Sequence, residues 1–340
     1  MGLSDRKKDH VRLTIDDRSA YSYDAGFSAY RFRHNALPEL DIDEIDTTAT
    51  LLNRAFSFPL FISSMTGGYS GAARVNEIIA RVCEQENIPF GVGSQRAILD
   101  DSSAATTFSI ARKTAPGAFI AGNIGGAQLI GGLSHEKLSL LIDSISANAI
   151  IVHLNPLQEL MQPEGDRNFR GIFDGIAKLV EDSPVPVLVK ETGAGINAEV
   201  AQKLLSVGVQ VIDIAGAGGT SWARVENLRS DDSRKYAAFD NWGLPTVDCL
   251  VELHALGIAK NKIIASGGIR SPLDVVKALC LGAGFAAIAQ PVIQTVIKDG
   301  EQGLVELVRT WKNSIRYAML LLGAARLDSL SAGHLVKLYP

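Results

Sequence analysis

The run "HLNPLQE" (153–159) puts His153, Asn155, Gln158 and Glu159 within seven residues, directly after the apolar, β-branched "AIIV" of residues 149–152. An imidazole, two amides and a carboxylate at that spacing can bind an anion, orient a substrate and hold a metal. Glu159 is the metal candidate. A lone carboxylate beside Asn and Gln suits Mg²⁺ held jointly with substrate phosphates, because that ion keeps several waters and avoids all-protein cages. Read by itself, Glu159 is equally a surface carboxylate after a proline turn. No H-E-x-x-H, Cys/His cluster or paired-carboxylate motif accompanies it.

Three further stretches carry chemistry-bearing residues. In "SGGIR" (266–270), Gly267 and Gly268 can turn backbone N–H groups toward a phosphate, with Arg270 as a pairing cation, or they can simply make a turn. Lys190, in the apolar run "PVLVKE" (186–191), would be buried and so needs an anionic partner; an electron-rich cofactor ring would serve. "RKKDH" (6–10) is either a solvated basic cluster or a segment that folds Arg6 and Lys7 over a site, its own or a neighbour's, to meet an anionic substrate.

These residues need elements that bring them together. Eight segments share one pattern, a short apolar run ending in small or polar residues: 59–65, 89–94, 119–125, 149–155, 186–191, 210–216, 262–268 and 285–290. Strands covered on both faces read this way. Most intervals between them are helical. Val75, Ile78, Ile79 and Val82 share one face, Ser134 is an N-cap signal, and Pro272 and Gly282 bracket another helix. Eight strand–helix units in this span are what a (β/α)8 barrel requires. A doubly wound sheet is disfavoured, since no G-x-G-x-x-G follows the first strand. In a barrel, the strand ends Ser64, Met65, Thr66, Ser94, Gln95, Arg96, Asn123, His153, Asn155 and Lys190, with Thr220 just beyond strand six, converge on one mouth. Residues 1–58 form an extension expected to pack across or beside the barrel, and residues 59–340 form the barrel with its C-terminal helices. Residues 217–245 are a long polar insertion after strand six, expected at the catalytic face as a lid or interface.

Composition narrows the class. The chain has 340 residues, 46% hydrophobic, enough for a large core, and its 32 glycines cluster where turns or close backbone approach are needed. A net charge of −4 gives no support for nucleic-acid or membrane partners. Cys83, Cys249 and Cys280 are scattered and odd in number, which suits a reducing cytoplasm. "MGLSDRKKDH" lacks a signal peptide's apolar stretch, and no run reaches the roughly 18 apolar residues of a membrane span, so a cytoplasmic location is expected.

Together, "RKKDH", "HNALPE" (34–39), "SSMTGG" (63–68), "GVGSQRAIL" (91–99), "HLNPLQE", "GGTSW" (218–222), "NWGLPT" (241–246) and "ASGGIR" resemble the type 2, flavin-dependent isopentenyl-diphosphate isomerases. The resemblance covers nearly the whole chain in order. "SSMTGG", "GSQR" and "HLNPLQE" are specific, whereas "SGGIR" occurs in many FMN barrels. "NIGGAQL" and "KETG" depart from the usual "NIGAPQL" and "KEVG" without touching a residue given a role. The resemblance implies an FMN-binding (β/α)8 barrel, active with reduced FMN, Mg²⁺ and NADPH as reductant, that interconverts isopentenyl and dimethylallyl diphosphate without net redox change. It implies that Ser64, Met65, Thr66, Ser94, Asn123, Lys190, Thr220, Gly267, Gly268, Arg270, Ala289 and Gln290 hold the flavin. Arg6, Lys7, Ser94, Arg96, His153, Asn155 and Gln158 would face the prenyl diphosphate, and Glu159 its Mg²⁺. Similar proteins form homotetramers or octamers. An amide is a poor base, so Gln158 is read as the catalytic residue that positions substrate or relays a proton with the flavin. Two rivals stand beside this reading. One is an FMN barrel oxidising 2-hydroxy acids, for which "IASGGIRSP" supplies no histidine base; the other is a flavin-binding scaffold without catalysis, which would need neither Gln158 nor Glu159.

Overall fold

A computed structural model describes residues 3–15, 17–230 and 235–338, the side chains of residues 3–8 and Ser70 excepted. Eight parallel strands close into a barrel in chain order: β1 (Leu60–Ile62), β2 (Phe90–Gly91), β3 (Ile120–Gly125), β4 (Ala149–Leu154), β5 (Val187–Glu191), β6 (Val211–Asp213), β7 (Ile263–Ala265) and β8 (Phe285–Ile288). β8 pairs with β1, which leaves no edge strand to seek a foreign partner. The fold is a (β/α)8 barrel, as the eight apolar runs predict.

The alternation of side chains along each strand divides the core in two. In β4, Ile150 and Val152 face the helices and join the outer apolar cluster, whereas Ala149 and Ile151 face the axis. The axial cluster also takes Phe61, Phe119, Ala121, Leu188, Val211, Ile264, Phe285 and Ala287. Both faces are dry, which is why the runs read as continuously apolar. The strands are shorter than those runs; β2 is only Phe90–Gly91. Beyond the ladder each run bends into a loop, because its polar residues turn toward the mouth.

The helices start where the sequence marks them. α1 (Leu3–Thr14) precedes the barrel; α2 (Ser70–Glu86), α3 (Thr106–Thr114), α4 (His135–Asp143), α5 (Pro156–Met161), α6 (Ile172–Asp182) and α7 (Ala198–Ser206) follow β1 to β5. α8 (Trp222–Arg229) and α9 (Thr246–Ala255) follow β6, α10 (Pro272–Cys280) follows β7 and α11 (Gln290–Leu322) follows β8. On α2, Val75, Ile78, Ile79 and Val82 are all buried. Ser134 Oγ caps α4 by accepting from the Lys137 N–H at 3.3 Å. α10 opens with Pro272 in its first turn and a reciprocal Ser271–Asp274 capping box.

The described residues of the two stretches outside the repeat have definite structure. Residues 49–56 form a hairpin, Ala49–Leu51 against Arg54–Phe56, at the N-terminal end of the barrel. There the Phe56 ring meets Phe119 and Phe285 edge-on, at centroid distances of 5.7 and 6.0 Å, and floors the axial core. Tyr30–Phe32 pairs with Leu335–Lys337. The insertion after β6 carries α8, so it is not simply a polar loop. It also binds the N-terminal extension. Tyr21 N–H donates to Gly219 O at 3.0 Å, Ser221 N–H to Ser19 O at 2.8 Å, and the Tyr21 hydroxyl lies 2.9 Å from both Gly193 O and Trp242 O. α1 lies across the opposite end from the hairpin. The last exposed carbonyls there, Thr14 O and Ile15 O, accept from Gln290 Nε2 and Gln294 Nε2 at 2.8 and 3.0 Å. Among the described residues, no helix is long and apolar enough to cross a membrane.

Candidate active site

Two residues along from the axial apolar cluster, the inward-facing positions turn polar: Ser63, Asn123, His153, Lys190, Asp213 and Ser266. Above this layer is a cavity of about 300 Å³, open to solvent at the C-terminal ends of the strands. Its wall includes Ser64, Met65, Thr66, Ser94, Arg96, Asn123, His153, Asn155, Gln158, Glu159, Lys190, Thr220, Gly267, Gly268, Arg270, Ala289 and Gln290. Residues from every barrel sector thus meet at one mouth. Arg6 and Lys7 lie on α1, with side chains outside those described; one turn on, His10, Val11 and Thr14 line the same cavity. Gln95 does not join it. Its side chain is fully buried in the wall, donating to Leu141 O at 2.9 Å and accepting from the Asn123 N–H at 2.9 Å, so it ties β2 to β3 and α4.

One half of the cavity fits a flavin nucleotide. Ser64 Oγ and Thr66 Oγ1 are buried without a hydrogen-bond partner, a cost that ring heteroatoms of a bound cofactor would relieve. Gly267 and Gly268 have φ of 92° and 70°, and a Cβ on Gly267 would sit 1.9 Å from Gly216 O, so only glycine permits this approach. Ala289, before α11, offers no side-chain cap; Pro291 has no N–H and the Val292 and Ile293 N–H groups donate to Ala289 O at 3.0 Å, so the Gln290 N–H is the donor that first turn offers an anion. Arg270 Nη1 donates to Gln290 Oε1 at 2.7 Å beside them.

The other half is a chain of oriented polar groups. His153 Nδ1 lies 2.7 Å from Asn123 Oδ1. An amide oxygen can only accept, so Nδ1 carries the proton toward Asn123 and the bond holds the ring in the cavity wall. Asn155 Nδ2 donates to Glu159 Oε1 at 3.0 Å and to Gln158 Oε1 at 3.2 Å. Glu159 Oε2 accepts from the Asp166 N–H at 2.8 Å. Arg96 reaches Asp166 at 3.8 Å. Among the described residues, no group of three or more His, Cys, Asp or Glu side chains could hold a metal alone. Any ion at Glu159 would need oxygen atoms from substrate and water.

The sequence reading missed Glu226, on α8. This carboxylate is buried and central: Gln158 Nε2 lies 3.3 Å from Oε1, Gln162 Nε2 3.0 Å and His10 Nε2 2.8 Å, while Arg229 bonds Oε2. Burial pushes its carboxyl up, but His10, Arg229 and Gln158 more than offset this, leaving it below the usual glutamate range. The Trp222 ring meets His10 edge-on at 5.1 Å. No sequence signal marks Glu226, because its partners are far apart in the chain and its own surroundings read as solvated loop.

The profile of the FMN-dependent dehydrogenase family matches residues 153–337. An isopentenyl-diphosphate delta-isomerase of Chlorobaculum parvum (strain DSM 263 / NCIMB 8327) is 44% identical over 337 residues, covering 95% of this chain and 94% of that protein. That of Nostoc sp. (strain PCC 7120 / SAG 25.82 / UTEX 2576) is 40% identical over 338 residues, covering 98% and 96%. Among solved structures, a soluble mutant of the membrane-associated (S)-mandelate dehydrogenase from Pseudomonas putida superposes with a TM-score of 0.67 at 15% identity, covering 99% and 100% of the two chains. A flavocytochrome b2 mutant gives 0.69 at 18%, covering 98% and 83%. At such identities these two likenesses speak to the fold.

Proposed function

This chain belongs to the isopentenyl-diphosphate delta-isomerase family, and on that premise we propose that it interconverts isopentenyl and dimethylallyl diphosphate with reduced FMN and Mg²⁺, without net redox change. One observation carries the reading: the seat that fits a flavin and the chain of groups suited to a metal-bound diphosphate share a single cavity, which Gln158 also lines.

Ser64, Thr66, Asn123, Lys190 and Thr220 would hold the flavin ring, with Met65 and Ser94 beside it. Gly267, Gly268, Arg270, Ala289 and Gln290 would hold its phosphate. Reduced FMN supplies N5 and N1 as atoms able to exchange protons with an alkene, chemistry that amides cannot offer. Glu159 would hold Mg²⁺ against the substrate diphosphate, with His153 in its protonated form, Asn155, Arg96 and the Arg6–Lys7 pair as the remaining anion contacts. The orientation of Gln158 then follows from its neighbours. A carboxylate is acceptor-only, so Glu226 draws the amide NH2 to itself, and Oε1 is left toward Asn155 and the cavity. Gln158 therefore presents a fixed carbonyl dipole near the reacting carbons, able to steady a proton in transit. NADPH as reductant and assembly into homotetramers or octamers belong to the same proposal.

The test is anaerobic conversion of isopentenyl diphosphate with FMN, Mg²⁺ and NADPH, each omitted in turn. Conversion should require reduced flavin and Mg²⁺ while consuming no stoichiometric NADPH. Bound, reduced flavin with no conversion would overturn the proposal, and oxygen uptake with lactate or glycolate would favour 2-hydroxy-acid oxidation.

A further inference from the structure

At the cavity floor, β5 carries Lys190 and β6 carries Asp213, with Ser266 just beyond β7, at 8, 6 and 4% exposure. Lys190 and Asp213 are register partners on adjacent strands. Ser266 Oγ donates to Asp213 Oδ1 at 2.5 Å, and the Ala215 N–H reaches the same oxygen at 3.3 Å. Lys190 and Ser266 line the cavity, whereas Asp213 sits behind them. An ammonium here needs an opposite charge. Its Nζ donates to Glu191 O at 2.5 Å, a neutral acceptor. Glu191 itself is engaged elsewhere: its Oε2 accepts the N–H groups of Thr192, Gly193 and Ala194, which disperse its charge over backbone dipoles. Both carboxylates feel the Lys190 charge, but Asp213, its register partner, is the one not already held by three backbone N–H groups. Burial pushes its carboxyl up from the usual aspartate range, and Lys190 is the foremost influence pulling it back.

We propose that Asp213 is the counter-charge of Lys190, a positioning residue that keeps the lysine on the cavity wall while cancelling most of its field at the cofactor. This rests on the flavin reading above and deepens it. Reducing a flavin adds negative charge to the ring. An unbalanced ammonium beside it would stabilise the anion and draw off protons that an isomerisation has to keep in play. A balanced pair leaves them on the ring.

The experiment is a spectroelectrochemical titration of the FMN-loaded protein, with FMN affinity measured by fluorescence quenching on the same samples. Asp213→Asn keeps the shape and the acceptor for Ser266 but removes the charge, so the potential of bound FMN should move positive. Lys190→Met should move it negative, and the double variant should return toward wild type. Opposite shifts from two register partners on adjacent strands are not what general loosening of the site would produce. Flavin bound to Asp213→Asn at the wild-type potential or below it overturns the inference alone. A wild-type protein that binds no FMN overturns the flavin reading and this inference with it. If Asp213→Asn alone does not fold, rescue of folded, flavin-binding protein by adding Lys190→Met supports the pairing, and failure of that rescue overturns it.

Discussion

Replacing Gln158 with Asn keeps an amide but shortens the side chain by one methylene, enough to part it from Glu226, now 3.3 Å away. A hydrogen bond to a charged group is worth about 1.5–3 kcal/mol, so turnover should fall roughly 10- to 100-fold. FMN affinity should be unchanged; loss of flavin from Gln158→Asn would refute the assignment. Glu226→Gln should cost a similar factor, since the Gln158 amide is then free to flip. It also changes the response to acid. The folded-state value of Glu226 lies below its unfolded one, so its linked stability is complete above the ordinary glutamate value near 4.3 and drains away as pH falls beneath it. Melting temperature against pH should therefore lose part of its acid-side slope in Glu226→Gln; an unchanged slope would remove Glu226 from the account. What could be read from the sequence at this scale was local. The polar run from His153 to Glu159 announced itself by following an apolar strand. Glu226 did not, because its partners on α1 and α5 are brought to it only by long-range docking. Gln95 misled for the converse reason: a polar residue at a strand end can bond backward into the wall.

The strands were legible because burial on both faces leaves no polar residue within a strand until the mouth is reached, and the helix starts because Ser134, Ser271 and Pro272 act on their own next turn. The floor hairpin was not legible. The strand pairing of residues 49–56 is within the hairpin, and nothing local says that Phe56 will sit beneath Phe119 and Phe285. Phe56 is 1% exposed. Phe56→Ala should cost about 3–5 kcal/mol in urea unfolding, through lost burial and a cavity at the base of the axial core. A cost below about 1 kcal/mol would mean that the floor is not part of the cooperative core.

At the scale of the molecule, α1 and the insertion after β6 act as one cover, joined by the His10–Glu226 contact and by the backbone bonds of Ser19 and Tyr21. Removing residues 1–15 should leave the barrel folded and FMN bound. The same deletion should raise the KM for isopentenyl diphosphate about tenfold or more, since one wall of the cavity and the Arg6–Lys7 pair go with it. An unchanged KM would show that α1 takes no part in substrate capture. The floor hairpin has a consequence in time. Residues 49–56 leave the ribosome before any of the strands they cover, and β8, which brings Phe285 to the Phe56 ring, is the last barrel strand made. Tyr30–Phe32 waits longer still for Leu335–Lys337. During synthesis this protein carries an apolar stopper with no bottle to close, so a pause in translation before β8 leaves Phe56 and the open barrel base exposed together.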